Sequence, residues 1–138
     1  MRITADTNIL LRAFVADDER QAQAAVELLE SAELVAISLQ SLCEFAWVLA
    51  RHYRTKREDI AAAIRTLLNT RNVIVNRPAA EAGLTILEAG GDFADGVIAY
   101  DGSWLGAETF VSFDREAVEL LAAKGHAAFL LGKDRTGA

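Results

Sequence analysis

The alternation of short apolar runs with longer segments of helical period is the feature that most constrains this fold. Runs rich in β-branched and apolar residues predict strands at residues 2–5, 34–37, 73–75, 109–111 and 127–131. Helical spacing predicts helices at residues 7–15, 18–32, 39–53, 57–69, 78–89, 93–105 and 115–124. Because strands joined by helical crossovers run parallel, the pattern predicts an α/β fold. We expect a three-layer architecture with a central, mostly parallel five-stranded sheet flanked by about seven helices.

The length of the chain favours one domain over residues 1–138. Its 138 residues contain no internal repeat or linker-like tract, and the only proline, Pro78, lies where a helix can begin. A chain of this size buries roughly two-thirds of its unfolded surface, so it needs no metal to fold. A bound metal ion would therefore serve chemistry rather than stability.

The cysteine count and the apolar segments indicate a cytoplasmic protein. Cys43 is the single cysteine, which excludes an intrachain disulfide framework, and its apolar surroundings predict a core side chain. No charged-then-apolar leader precedes Asp6. The most apolar stretch, residues 34–50, is too short and too polar to cross a bilayer, so we expect no membrane association.

The charge balance excludes a broad basic nucleic-acid coat, since 20 acidic residues outnumber 14 basic ones and the net charge is −6. One local cluster of cations remains, formed by Arg51, Arg54, Lys56 and Arg57. We interpret these four residues as contacts to the backbone of a nucleic-acid substrate. The alternative is a solvated helix end, where cations are favoured without any ligand.

Acidic residues follow the predicted strands at the positions where parallel α/β folds bind ligands. Asp6 follows the first strand, Asp114 follows the fourth, and Glu44 lies in the helix after the second. Asp92 and Asp95 are three residues apart at a helix start, which places them on one side of that helix. We therefore expect these carboxylates to converge on one edge of the sheet.

Each acid also has a purely structural interpretation. Asp6 and Asp114 could cap the helices that follow them, and Asp92 with Asp95 resembles a capping box. Glu44 could form a capping box with Ser41.

The apolar neighbours of Glu44 nevertheless predict a buried carboxylate, which requires a partner. Taken together, the acids fit a site for Mg²⁺, with Mn²⁺ as a substitute, because carboxylates close together repel one another unless a cation neutralises them.

Other chemistries lack their motifs. His52 and His126 are too far apart in sequence for a zinc motif and are expected to be ordinary surface or packing residues. There is no Gly-rich phosphate loop and no nucleophile elbow. Trp47 and Trp104 are interpreted as core or interface aromatics.

Four motifs in chain order resemble those of the PIN-domain ribonucleases, and within that family those of VapC-type toxins of toxin–antitoxin pairs. The motifs are Asp6-Thr7-Asn8 after a strand, Glu44 in a Ser-x-x-x-Glu helix segment, Asp92-Phe93-Ala94-Asp95 opening a helix, and Ser112-Phe113-Asp114 after a strand. The resemblance covers nearly the whole chain.

The resemblance implies a Mg²⁺-dependent endoribonuclease that reads single strands and leaves 5′-phosphate and 3′-hydroxyl ends. It implies that Asp6, Glu44, Asp95 and Asp114 form a catalytic and metal-binding quartet, with Asp92 as an auxiliary acid and Asn8 and Ser112 as polar supports. It also implies a homodimer and a cognate antitoxin whose tail covers the acidic cleft. The alternative function is a non-catalytic PIN-like scaffold that binds RNA or protein.

Three positions depart from the usual family pattern. Gly96 stands where a small helix former is common, Gly102 follows in the same helix, and Ser112 replaces the more frequent threonine. Because glycine within a helix costs roughly 1 kcal/mol relative to alanine, the pattern predicts reduced rigidity in the helix that carries Asp95.

Overall fold

The computed structural model describes residues 1–132 of the chain and shows an α/β fold. The strands are β1 (Arg2–Thr4), β2 (Leu34–Ala36), β3 (Val73–Ile74), β4 (Phe110–Ser112) and β5 (Ala128–Leu130). The helices are α1 (Thr7–Phe14), α2 (Glu19–Ser31), α3 (Leu39–Arg51), α4 (Arg57–Leu68), α5 (Arg77–Glu88), α6 (Phe93–Trp104) and α7 (Arg115–Ala123). No helix in these residues is long and apolar enough to cross a membrane.

The predicted helix boundaries differ from the observed ones by no more than two residues, and side-chain caps account for the starts of α1, α2, α3 and α7. The side chains of Asp6, Asp18, Ser38 and Asp114 each accept a hydrogen bond from a backbone N–H in the first turn of the helix that follows. Gly90, with φ of 110°, lies just beyond the end of α5, where a left-handed residue terminates a helix. These local signals are readable from sequence alone.

The chain divides into two compact units, Met1–Ala80 and Glu81–Ala138. The single domain over residues 1–138 stays a prediction.

The first unit contains a three-stranded parallel sheet in the order β1-β2-β3. Ile3 pairs with Val35, and Val35 pairs in turn with Val73. The core of the unit includes side chains from α1, α3 and α4, among them the fully buried Leu10 and Phe45. The carboxyl end of β1 leads directly into α1, which places Asp6 at the edge of this sheet.

The second unit contains a two-stranded parallel sheet in which β4 pairs with β5. Its central strand residues, Val111 and Phe129, are paired and exposed. A small core formed by Ile86, Ala99 and Leu121 packs against the opposite face, which carries Phe110 and Ala128.

The strands therefore form a three-stranded and a two-stranded sheet, whereas the alternation of strands and helices in the sequence predicts one five-stranded sheet. The α/β class and the parallel pairing are confirmed. Periodicity identifies the residues that form a strand, but tertiary packing decides which strand edges pair. The division of the strands between two sheets could therefore not be predicted.

Two glycines allow α5 and α6 to pack closely within the second unit. A Cβ atom on Gly96 would lie 2.3 Å from the carbonyl oxygen of Ala82 and 2.8 Å from the Cα atom of Gly83. A Cβ atom on Gly83 would lie 2.7 Å from the ring of Phe93, which is fully buried. Gly96 therefore permits close packing of the helix that carries Asp95, a role that its helix propensity alone did not indicate.

Candidate active site

Asp6 is held in place by the first turn of α1. Its Oδ1 atom accepts hydrogen bonds from the backbone N–H groups of Asn8 at 3.0 Å and Ile9 at 3.2 Å. The residue is exposed, and the helix N-terminus favours its negative charge. The capping interpretation of Asp6 is thus correct, and it leaves Oδ2 without a hydrogen-bond partner in the described part of the chain.

Glu44 lies on the exposed side of α3, so its predicted burial is wrong. The predicted capping box with Ser41 is also absent, because α3 begins earlier and Ser38 caps it by accepting from the N–H of Ser41 at 3.0 Å. The partner of Glu44 is Thr7, whose hydroxyl donates to Oε1 at 2.8 Å. The apolar neighbours of Glu44 in sequence occupy other sides of the helix, which explains the error.

The hydrogen bond from Thr7 brings Glu44 close to Asp6, although the two acids are far apart in sequence. Asp6, Glu44 and Asn8 line a common cavity of about 430 Å³ within the first unit. Sequence reasoning missed Thr7 as a functional residue. The available signal was its position in the Asp-Thr-Asn segment, directly after the Asp6 cap.

In the second unit, Asp95 lies in the first turn of α6 and is partly buried. The pKa of its carboxyl group is raised to about 6, first by burial and then by the charges of Asp92 and Asp114. Asp92 occupies the N-cap position of α6 but makes no side-chain cap hydrogen bond, so the predicted capping box does not form. These carboxylates therefore crowd one another electrostatically.

Asp114 combines a cap with a second local contact. Its Oδ1 atom accepts from the N–H groups of Glu116 at 3.0 Å and Ala117 at 3.3 Å, so it caps α7. Its own N–H donates to the Oγ atom of Ser112 at 2.9 Å. Ser112 thus fixes the turn between β4 and α7 that carries Asp114.

The structure groups the predicted acids in two sets, with Asp6 and Glu44 in the first unit and Asp92, Asp95 and Asp114 in the second. Within residues 1–132, no three His, Cys, Asp or Glu side chains form a group that could hold a metal ion by themselves. The donor chemistry still fits Mg²⁺, which binds through one or two carboxylates and retains several waters. The quartet as one metal site stays a prediction.

The raised pKa of Asp95 predicts a pH-dependent penalty on stability. Its carboxyl group ionises near 3.8 in the unfolded chain and near 6 in the folded protein. Between these values the folded state binds more protons, so this group lowers the free energy of unfolding as pH rises, and the penalty is complete above about pH 6.

Asp95→Asn removes the ionisable carboxyl group and, with it, the loss of stability that its ionisation causes. In chelator, we expect the variant to exceed the parent in free energy of unfolding by urea at about pH 7.5, with a much smaller difference at about pH 4.5. An equal difference at both pH values would contradict this cause of the shift.

The cation cluster lies at the α3–α4 connection in the first unit. Arg51 ends α3, Arg57 begins α4, and Lys56 holds the N-cap position without a side-chain cap hydrogen bond. Arg54 has a φ of 54°, a left-handed conformation that is uncommon outside glycine. All four cations are exposed, and their contact with RNA stays a prediction.

The aromatic and thiol predictions are corrected in part. Trp47 is 52% exposed and Trp104 is 75% exposed, so neither is a core residue. Cys43 is partly buried rather than fully buried in the core. His52 and His126 are exposed, as expected for surface residues.

Comparison with known proteins identifies the family of the chain. The sequence profile of the PIN domain matches residues 3–122. A solved structure of Mycobacterium tuberculosis VapC20, described as a sarcin-ricin loop cleaving toxin, is similar with 22% sequence identity and a TM-score of 0.43. The similarity covers 91% of this chain and 96% of that one. No curated protein sequence matches the chain. Because the profile spans well over half of the sequence, the chain belongs to the PIN domain family.

Proposed function

We propose that this protein is a Mg²⁺-dependent endoribonuclease that hydrolyses RNA phosphodiester bonds. The observation that carries the proposal is the partly buried position of Asp95 beside the charges of Asp92 and Asp114, where burial first and these two charges second raise the pKa of its carboxyl group to about 6. Such crowding is relieved by a divalent cation. Membership of the PIN domain family and the four acidic motifs in family order support the same activity.

The residues proposed to hold the metal are Asp6, Glu44, Asp95 and Asp114, directly or through water. Their donors are carboxylate oxygens, which suit Mg²⁺ or Mn²⁺. Because caps occupy only Oδ1 of Asp6 and Asp114, the second carboxylate oxygen of each stays available as a ligand. When bound, Mg²⁺ supplies positive charge that stabilises the reacting phosphate and favours deprotonation of water.

Glu44 is the proposed base that accepts a proton from the attacking water. The hydroxyl of Thr7 donates to Oε1 of Glu44, which orients the carboxylate and leaves Oε2 for the water. Asp92 is proposed as an auxiliary acid, and Asn8 and Ser112 as polar supports beside Asp6 and Asp114. The products are a 5′-phosphate and a 3′-hydroxyl.

The four cations at the α3–α4 connection are proposed to contact the RNA backbone. For the double variant Arg54→Gln, Lys56→Gln we expect weaker RNA binding and a salt dependence that falls by about 0.7 in log–log slope per lost contact. Fluorescence anisotropy at several salt concentrations measures this slope. The matched control is Arg20→Gln, Arg71→Gln, which removes two exposed cations outside the cluster. Equal slopes for the two double variants would exclude the cluster as an RNA contact.

We further propose that the protein is the toxin of a type II toxin–antitoxin pair that acts in the cytoplasm. Its partners would be a cognate antitoxin that covers the acidic cleft, a second copy of this chain in a homodimer, and the RNA substrate. The resemblance of the sequence motifs to VapC-type toxins supports this assignment.

A non-catalytic PIN-like scaffold is the second candidate function. It is favoured by one observation, the lack of a group of three metal-binding side chains within residues 1–132. Such a scaffold would bind RNA or protein without cleaving either.

Cleavage of RNA by the purified protein separates the two candidates. The nuclease predicts cleavage in Mg²⁺ that stops in excess chelator and returns when Mg²⁺ is restored. The scaffold predicts intact RNA in both conditions. Loss of cleavage in Asp6→Asn, Asp95→Asn or Asp114→Asn, purified in the same way, would exclude a contaminating nuclease as the source of the cleavage.

A further inference from the structure

Trp47 is a large aromatic residue that the core of the first unit does not use. The buried residues of α3 are Leu42, Phe45, Ala46 and Leu49, whereas the Trp47 side chain is 52% exposed on another side of the helix. Tryptophan is among the side chains with the most apolar surface to bury, and the exposed part of the Trp47 ring is accessible to a ligand.

The neighbours of Trp47 along α3 are one acid and one cation. Glu44 is three residues before it and Arg51 is four residues after it, so the three side chains share one side of the helix. The guanidinium carbon of Arg51 lies 5.6 Å from the centre of the Trp47 ring, within the range of a cation–π contact. Arg51 is itself exposed and can thus steady the Trp47 ring by this contact.

Trp47 also belongs to the cavity that holds the first acidic pair. Asp6, Glu44, Trp47 and Tyr53 all line this space of about 430 Å³. Tyr53 is fixed there by a hydrogen bond from its hydroxyl to Asp17 at 3.0 Å. The rings of Trp47 and Tyr53 and two carboxylates therefore line one opening, and the guanidinium of Arg51 lies beside the Trp47 ring.

We propose that the Trp47 ring stacks on an unpaired base of a single-stranded RNA substrate, with the adjoining phosphate close to Asp6 and Glu44. This inference rests on the proposed nuclease function and assigns a base-contacting residue, Trp47, to that site. Base–aromatic stacking tolerates any base, and a flanking arginine both contributes to stacking and offsets phosphate charge. In a duplex the bases are already stacked on one another, so the geometry selects single strands and loops.

Tryptophan fluorescence tests the stacking directly. The chain has two tryptophans, so Trp104→Phe leaves Trp47 as the only one. In this background, with Asp95→Asn added to prevent cleavage and with Mg²⁺ present, a mixed-sequence single-stranded RNA of about ten nucleotides should quench the fluorescence, whereas a blunt duplex should not. Absence of quenching by an excess of single-stranded RNA would overturn the proposal.

Binding and cleavage by substituted proteins provide the second test. In the natural background, Trp47→Ala should weaken binding of the single-stranded RNA roughly tenfold to a hundredfold, and Trp47→Phe should retain most of the affinity. The matched control is Trp104→Ala, which removes an exposed tryptophan whose Nε1 donates to the hydroxyl of Tyr100 in the second unit. Circular dichroism and urea unfolding verify that each variant is folded.

The outcomes separate this inference from the proposed function. Parental binding and cleavage by Trp47→Ala would overturn the stacking role while leaving the nuclease intact. Quenching and Trp47-dependent binding without any Mg²⁺-dependent cleavage would support stacking and refute the nuclease. Equal losses in Trp47→Ala and Trp104→Ala would also overturn the proposal, because they would show no specific role for Trp47.

Discussion

Replacing Asp95 by asparagine is expected to lower Mg²⁺-dependent RNA cleavage by at least about a hundredfold, since substitutions even one shell beyond the ligands of a metal cost up to that factor. Asparagine has nearly the shape of aspartate but no charge, and it is a poorer ligand for Mg²⁺. The same loss is expected for Asp6→Asn and Asp114→Asn. Initial rates of cleavage of a labelled RNA, measured over a range of Mg²⁺ concentrations, provide the comparison.

These substitutions separate a metal ligand from a helix cap. Asparagine caps a helix about as well as aspartate, so the first turns of α1 and α7 should stay intact in Asp6→Asn and Asp114→Asn. In chelator, each of the three variants should match or exceed the parent in free energy of unfolding, because one of several repelling charges is gone.

Asp18→Asn is the matched control for the loss of cleavage. Asp18 caps α2 by accepting from the N–H of Gln21 at 3.0 Å, and it is not one of the proposed metal-binding acids. This variant loses the same charge and keeps the same kind of cap, so it should cleave RNA at the parental rate. Parental cleavage by Asp6→Asn, Asp95→Asn or Asp114→Asn would remove that residue from the proposed site.

Gly96→Ala is expected to lower the free energy of unfolding by about 1–3 kcal/mol, the usual range for overpacking a well-filled interior. Alanine gains roughly 1 kcal/mol in helix propensity over glycine. At Gly96, however, the added Cβ atom would lie 2.3 Å from the backbone carbonyl oxygen of Ala82, which cannot rotate away as a side chain can. The steric cost therefore exceeds the gain in propensity, and urea unfolding measures the balance.

Gly102→Ala in the same helix should change the free energy of unfolding in the opposite direction. Its added Cβ atom would meet only the Cβ atom of Ala107, at 3.9 Å, which is ordinary van der Waals contact. We therefore expect an increase of up to about 1 kcal/mol in the free energy of unfolding. If both alanine variants were stabilised, the close packing of α5 and α6 at Gly96 would be disproved.

The fold could be predicted to the extent that local signals determine it. Caps and turns depend on residues a few positions apart, which is why α1 and α7 begin where Asp6 and Asp114 predict. The pairing of strands into a three-stranded and a two-stranded sheet depends on contacts between distant segments, and no local pattern encodes those contacts.

The residues of the candidate site could be predicted from the sequence, but their exposure and their contacts could not. The positions of Asp6 and Asp114 after strands follow from the chain order of the elements. The exposure of Glu44 and Trp47 depends on which side of α3 is covered, and apolar neighbours in sequence gave the wrong answer for Glu44. The contact between Thr7 and Glu44 joins residues 37 positions apart, so only the tertiary structure reveals it.

The caps formed by Asp6 and Asp114 have a consequence for how this chain can evolve. Selection for a stable helix start acts on Oδ1 of each residue even where selection for catalysis has ceased. Within residues 1–132, the side chains of Glu44 and Asp95 do not cap a helix, and the ionised form of Asp95 even opposes folding. In a lineage that loses the proposed nuclease activity, Glu44 and Asp95 should therefore mutate first, while capping residues persist at positions 6 and 114.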